Sequence, residues 1–187
     1  GGDRLMAEVI KVLGQDVYVQ VFESTRGLKV GAEAEFVGHM LEVQLGPGML
    51  SKNYDGLQND LDKMEGVFLK RGQYTEPLDA DSVWDFTPLA KVGDTVQASD
   101  WLGQVIENSQ KLKIMAPFQM EGTATVKSIV PAGQYKIHDV IAVLVDEKGN
   151  EISVNMIQRW PVKIPMTQYK HKPRPFKLLE TGVRTID

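Results

Sequence analysis

The chain opens on two stretches that read as alternating strands. Leu5, Ala7, Val9 and Lys11 alternate with Met6, Glu8, Ile10 and Val12, and beyond Gly14-Gln15-Asp16 the residues Val17, Val19 and Val21 alternate with Tyr18, Gln20 and Phe22. A period of two sends successive side chains to opposite faces, so this pattern predicts a β-hairpin turning at Gly14-Gln15-Asp16. A second hairpin-like run covers residues 34–45, with Gly27 and Gly31 punctuating the gap before it. This is material for a small barrel, and an incomplete one, because closure needs about five or six strands to remove the edges.

From Gly46 to Asp62 the texture changes. Gly46-Pro47-Gly48 predicts a loop and Tyr54-Asp55-Gly56 a turn, and Leu57, Leu61 and Met64 at helical spacing allow one short helix at most. Residues 66–82 are polar and broken by Gly66, Gly72 and Pro77, which predicts an excursion into a separate unit.

That unit, residues 66–157, carries a weak internal repeat. Val92-Gly93-Asp94-Thr95-Val96 followed by Trp101-Leu102-Gly103-Gln104-Val105 is echoed by Pro131-Ala132-Gly133-Gln134-Tyr135 followed by Asp139-Val140-Ile141-Ala142-Val143-Leu144. A further strand precedes each copy, residues 83–89 in one half and 123–130 in the other. Two such halves predict a β-sandwich or barrel with Trp84, Trp101 and Phe118 available for its core. Two unrelated glycine turns in an all-β unit would give the same pattern.

The tail differs again. Residues 159–187 hold four of the nine prolines (Pro161, Pro165, Pro173 and Pro175) and a basic cluster of Lys170, His171, Lys172, Arg174 and Lys177. Proline fixes φ and donates no hydrogen bond, so an extended connector is expected, with the cluster read as a charged linker.

Composition narrows the function. A net charge of -4 removes the electrostatic footprint of a nucleic-acid binder. The longest purely apolar run, residues 140–145, falls far short of the roughly 20 residues a spanning helix needs. With no cysteine there is no disulfide frame and no thiol chemistry. The dipeptide Gly-Lys is absent, so the chain has no phosphate loop of the G-x-x-x-x-G-K-[ST] type, and it has neither a G-x-S-x-G elbow nor H-E-x-x-H. His39, His138 and His171 lack ligand spacing, and Asp79, Asp81 and Asp85 lack the order of a calcium loop and read as a solvated acidic turn. No residue of the chain is assigned a catalytic, cofactor-binding or metal-binding role.

Three stretches, in order, resemble the catalytic A subunit of V/A-type rotary ATPases. Glu8-Val9-Ile10 and Val19-Gln20-Val21-Phe22-Glu23-Ser24-Thr25-Arg26-Gly27-Leu28 are similar to the family's E-V-I and I-Q-V-Y-E-x-T-x-G-L. Leu45-Gly46-Pro47-Gly48-Met49-Leu50 with Tyr54-Asp55-Gly56-Leu57-Gln58 resembles its L-G-P-G-[IL]-L…[FY]-D-G-I-Q, the most specific of the three. Trp160-Pro161-Val162, Arg174-Pro175 and Thr181 to Asp187 resemble W-P-V-R, R-P and T-G-Q-R-V-I-D. Ser51-Lys52-Asn53, Asn59-Asp60 and Val183 depart from the usual pattern, as in a divergent branch.

The resemblance implies a mainly β chain: a partial N-terminal barrel over 1–65, an inserted two-half, lipoyl-like bulge domain over 66–157, and a Pro-rich connector over 158–187. It implies that the parent subunit hydrolyses ATP with Mg²⁺ and couples this to proton or sodium translocation, through residues beyond Asp187. The fragment itself is expected to be inactive and to hold no cofactor. The implied partners are the other catalytic and non-catalytic subunits of a hexamer, and peripheral stalk subunits met through the bulge. Residues 76–100, acidic apart from Lys91, form a stalk-facing surface or a solvated face. The implied location is the cytoplasmic ATPase head, peripheral to the membrane, with no nucleic acid and no membrane insertion.

Two other readings compete. Gly93-Asp94-x-Val96 and Ala116-Pro117…Gly122-Thr123-Ala124 also resemble biotinyl and lipoyl carrier domains, whose function needs one lysine on the hairpin between the halves. Here that place reads Glu107-Asn108-Ser109-Gln110, with Lys111 and Lys113 nearby. A free-standing β adaptor is the second alternative.

Overall fold

Alternation, turn glycines and one long-range strand pair account for the architecture. The computed structural model describes residues 4–66, 70–165, 174–176 and 182. The first hairpin forms as expected: β1 (Ala7–Leu13) pairs antiparallel with β2 (Asp16–Val21), and Gly14 sits at φ +59° in the turn. The run over 34–45 does not make a hairpin. Only its end is a strand, β3 (Glu42–Leu45), while Gly38 at φ +80° interrupts the extended path before it.

β3 finds its partner far along the chain. It pairs with β12 (Gln158–Pro161), setting Leu45 opposite Gln158 and Glu42 opposite Pro161. This two-stranded neck brings together the points where the chain leaves for, and returns from, everything between. The short helix reduces to one 3-10 turn, Leu61–Lys63, with Asp60 capping it.

Between the neck strands lie β4 (Val83–Pro88), β5 (Thr95–Gln97), β6 (Trp101–Glu107), β7 (Gln110–Met115), β8 (Thr123–Ile129), β9 (Gly133–Lys136), β10 (Ala142–Asp146) and β11 (Glu151–Val154). They form two four-stranded sheets, ordered β7-β6-β4-β9 and β11-β10-β8-β5. Replacing β4, β5, β6 and β7 by β8, β9, β10 and β11 converts the first order into the second. The internal repeat is therefore a structural two-fold, and the halves exchange a strand: β5 of the first half joins β8, and β9 of the second joins β4.

The turns repeat with the strands. Before β6, the Gln97 N–H donates to Asp100 Oδ2 at 2.9 Å and the Asp100 N–H to the Gln97 carbonyl at 3.0 Å. Before β10, Lys136 and Asp139 make the same reciprocal pair at 2.8 and 3.1 Å. An aspartate closing its own turn in this way is a local, sequence-coded stop.

Two apolar clusters fill the unit. One gathers Leu102, Ala124, Val126, Ala142 and Leu144, and the other Leu78, Phe86, Val105, Ile114, Ile137, Ile141 and Met156. Of the aromatics the sequence offers to the core, Trp84 packs against the second cluster, whereas Trp101 does not join either. Trp84 is half-buried, and Trp101 is 58% exposed. The cause is a register shift between Trp101 and Gly103 in β6: alternation breaks, Leu102 and Gly103 both turn inward, and Trp101 is left outside. Phe86 takes the central place, edge-on to Tyr135 at 6.2 Å.

Gly103 is what makes room for that ring. A Cβ there would lie 2.2 Å from Phe86 Cε2. Gly103→Ala is therefore expected to destabilise the chain by about 1–3 kcal/mol through overpacking, read as a lower urea midpoint. An unchanged midpoint would mean that Phe86 can move aside at no cost.

Candidate functional site

The motif Leu45-Gly46-Pro47-Gly48…Tyr54-Asp55-Gly56-Leu57-Gln58 builds a hydrogen-bonded lock where the neck meets the two sheets. Gly46 lets the backbone pass close to the insert, since a Cβ there would stand 3.1 Å from the Met156 carbonyl oxygen and 3.2 Å from Leu78. Gly48 holds φ +101°, a conformation that favours glycine, with the Trp84 ring beside it.

The Tyr-Asp-Gly turn then folds on its own side chains. Asp55 Oδ1 accepts from the Leu57 and Asn59 N–H groups at 2.9 and 2.8 Å, and Oδ2 accepts from Asn59 Nδ2 at 2.8 Å. Gln58 is thereby placed to act as an extra strand: its Nε2 donates to the Gln44 carbonyl at 2.6 Å, and its Oε1 accepts from the Gln44 N–H at 2.8 Å. Asn59 Oδ1 accepts from the Thr75 N–H, and Tyr54 donates to the Pro77 carbonyl at 2.8 Å. The turn thus clamps the neck on one side and the segment entering the insert on the other.

Asp60 is buried to 1% exposure and carries the charge of this lock. Its Oδ2 meets Lys52 at 3.2 Å and Lys63 at 3.8 Å, while Oδ1 accepts from the Asp62 N–H. A buried carboxylate is tolerable when paired and hydrogen-bonded in this way. Its hydrogen bond raises the Lys52 pKa above the ordinary lysine value, and burial, then the Asp60 charge, raises that of the Tyr54 phenol. Both shifts favour the states, cationic and neutral, that hold the network together. The residues that depart from the family pattern, Lys52 and Asn59-Asp60, are therefore members of the lock.

A second clasp forms at the hairpin tip between β6 and β7. Asn108 and Ser109 take φ +46° and +65° there. Glu107, 5% exposed, accepts from the Leu50 N–H at 2.9 Å, and Asn108 Nδ2 donates to Ser51 Oγ at 2.8 Å. This is the tip on which a carrier domain presents its lysine. Here the tip is docked on residues 50–51, Lys113 is held by Gln104 Oε1 at 2.7 Å over the Trp101 ring, and Gln110 ends the turn. Lys111, the other lysine beside the tip, is exposed and stands opposite Ile106 in the hairpin register.

The hairpin β1–β2 is fastened nearby. Tyr74 accepts from the Met6 N–H at 2.7 Å and donates to Glu23 Oε2 at 3.2 Å, the Gly72 N–H also reaches Glu23, and Lys163 pairs with Glu8 at 2.6 Å. Burial is the main cause raising the Tyr74 phenol above its usual pKa.

Among the described residues no group of three or more His, Asp or Glu is placed to hold a metal, and no helix is long and apolar enough to cross a membrane. His39 and His138 stand exposed and apart. Asp79 is tied to Ser82, and Asp81 to Lys136. His171 and Lys170, Lys172 and Lys177 of the basic cluster lie outside the described residues, as does the Thr181 to Asp187 ending apart from Gly182. What sequence reasoning did not anticipate is the docking of Glu107 on Leu50. Its only signal is a carboxylate at an otherwise buried strand position.

Comparison with known proteins agrees with this geometry. Residues 1–38 match the ATP synthase alpha/beta family beta-barrel domain, and residues 75–163 match the ATPsynthase alpha/beta subunit barrel-sandwich domain. V-type ATP synthase alpha chains of Treponema denticola and Borreliella afzelii are each 46% identical over 190 residues, which cover 100% of this chain and 32% and 33% of those proteins. The chain spans about a third of the length of these relatives.

The Glu107 clasp is open to direct measurement. Glu107→Ala leaves the Leu50 N–H without its acceptor and is expected to cost about 1–3 kcal/mol, with faster amide exchange at Leu50. Glu107→Gln keeps an acceptor and should lose less. Equal, negligible losses from both variants would show that the tip is not docked.

Proposed function

The chain belongs to the V-type ATP synthase alpha-chain family, and from that premise we propose that it is the N-terminal and bulge portion of the subunit that hydrolyses ATP in a rotary, proton- or sodium-translocating ATPase. Its own part is to hold and to present surfaces, without an ATP site. The division is residues 1–65 for the barrel portion and its following loop, 66–157 for the insert and 158–187 for the connector.

One observation carries this reading. The side chains of the most family-specific motif, Tyr54, Asp55, Gln58 and Asn59, make hydrogen bonds that join the neck to the insert. Chemistry in the parent subunit then belongs to residues beyond this segment. The β1–β2 hairpin supports the assembly side of the proposal. Ile10, Val12, Tyr18 and Val19 are exposed in a two-stranded sheet, an arrangement that further barrel strands and neighbouring subunits of a ring would cover. The insert, fastened at the neck, the Tyr54–Asp60 turn and the β6–β7 tip, projects toward the peripheral stalk, and the whole head works on the cytoplasmic face of the membrane.

Calorimetry of the chain with Mg-ATP is expected to give no binding heat, while the complete subunit binds. Saturable binding by residues 1–187 alone would overturn the proposal that this portion lacks the nucleotide site.

A further inference from the structure

The insert is fastened to the rest of the chain at three places, and they are not equally strong. The neck is a ladder of four residue pairs. The Tyr54–Asp60 turn is closed by Asp55, Gln58 and Asn59, with Asp55 alone accepting three hydrogen bonds. At the β6–β7 tip, the Leu50 N–H donates to Glu107 Oε1 and Asn108 Nδ2 donates to Ser51 Oγ. Ser51 and Asn108 are both exposed, so water competes for the second of these bonds.

Docking at the tip also carries costs. Glu107 is 5% exposed, yet its Oε2 is buried and receives no hydrogen bond from the protein. An unpaired carboxylate oxygen opposes the docking that takes it out of water. A second polar atom beside the same segment is in a similar position. Trp84, whose ring a Cβ on Gly48 would touch at 3.6 Å, has its Nε1 buried without a protein acceptor. Ser51 is held at φ +62°, a conformation in which serine is strained.

The two sides of the contact differ in stiffness. The hairpin behind the tip is a ladder of six pairs, whereas residues 50–53 are an exposed loop that follows Gly48 at φ +101°. The loop is the side that moves.

We propose that residues 50–51 are a releasable strap over the β6–β7 tip, which lifts while the neck and the Tyr54–Asp60 turn stay closed. With the strap down the insert is held at three places, and with it up at two. Release returns the Glu107 carboxylate and the Leu50 N–H to water, so the strap sets how freely the insert moves on the neck.

Native-state amide exchange of the full chain in low urea tests it. The Leu50 N–H reports the strap, and the Gln44 N–H, bonded to Gln58, reports the turn. Leu50 is expected to be at least about tenfold less protected than Gln44, with almost no urea dependence, as local opening requires. Closing the strap covalently should remove that difference. In the double variant Ser51→Cys with Asn108→Cys, made in a chain that has no other cysteine, dibromobimane bridges the two thiols. Bridging should slow Leu50 exchange at least about tenfold relative to the same variant unbridged, and leave Gln44 unchanged.

Leu50 and Gln44 exchanging with equal protection and one urea dependence would overturn the proposal. So would a bridged variant whose Leu50 exchange is unchanged, or a pair of thiols that the reagent cannot join.

Discussion

The exchange of one strand between the two halves of the insert is the constraint on which the rest of the structure depends. β5 is three residues long and β9 four, and each forms the edge of the other half's sheet. Each is stable because it completes the other half's sheet. Neither half therefore owns a finished sheet, and the interior between them closes only when both are present. Gly103 and Phe86 show how tight that closure is: one methyl group added to the first would occupy the space of the second.

The same unit is then tied to the remainder of the chain at three places: the β3–β12 neck, the Tyr54–Asp60 turn and the tip of the β6–β7 hairpin. Each uses backbone groups as partners, through Gln58 on Gln44, Glu107 on Leu50 and Asn59 on Thr75. Such bonds fix orientation more than they add stability, because each net hydrogen bond contributes only about 1 kcal/mol. A fold that spends a family-specific motif on orientation suits an insert whose position relative to the barrel portion matters. In this two-half architecture the hairpin tip between the halves serves as an anchor on residues 50–51.

Much of this was legible in the residues. Alternation and Gly14 predicted the first hairpin, and the paired glycine turns predicted the two halves. Gly46-Pro47-Gly48 and Tyr54-Asp55-Gly56 were legible as turns because each conformation is coded within a few residues. The exchanged strands were not, because three or four residues carry no information about which sheet they will join. Nor was the pairing of Leu45 with Gln158, whose partners are brought together only once the insert is folded. Trp101 misled for a local reason: the shift in β6 reverses the faces at one point, and alternation read across it assigns the wrong side. The lock around Asp60 was hidden because Lys52, Asn59 and Asp60 are the residues that differ from the family's usual pattern, so the resemblance gave them no role.

Unfolding of the excised segment 66–157, followed by circular dichroism and tryptophan fluorescence and set beside its first half, residues 83–115, tests the central claim most directly. Strand exchange predicts one cooperative transition, coincident by both probes, for 66–157, and no folded state for 83–115 alone. Separate transitions for the two halves, or a cooperatively folded 83–115, would contradict it.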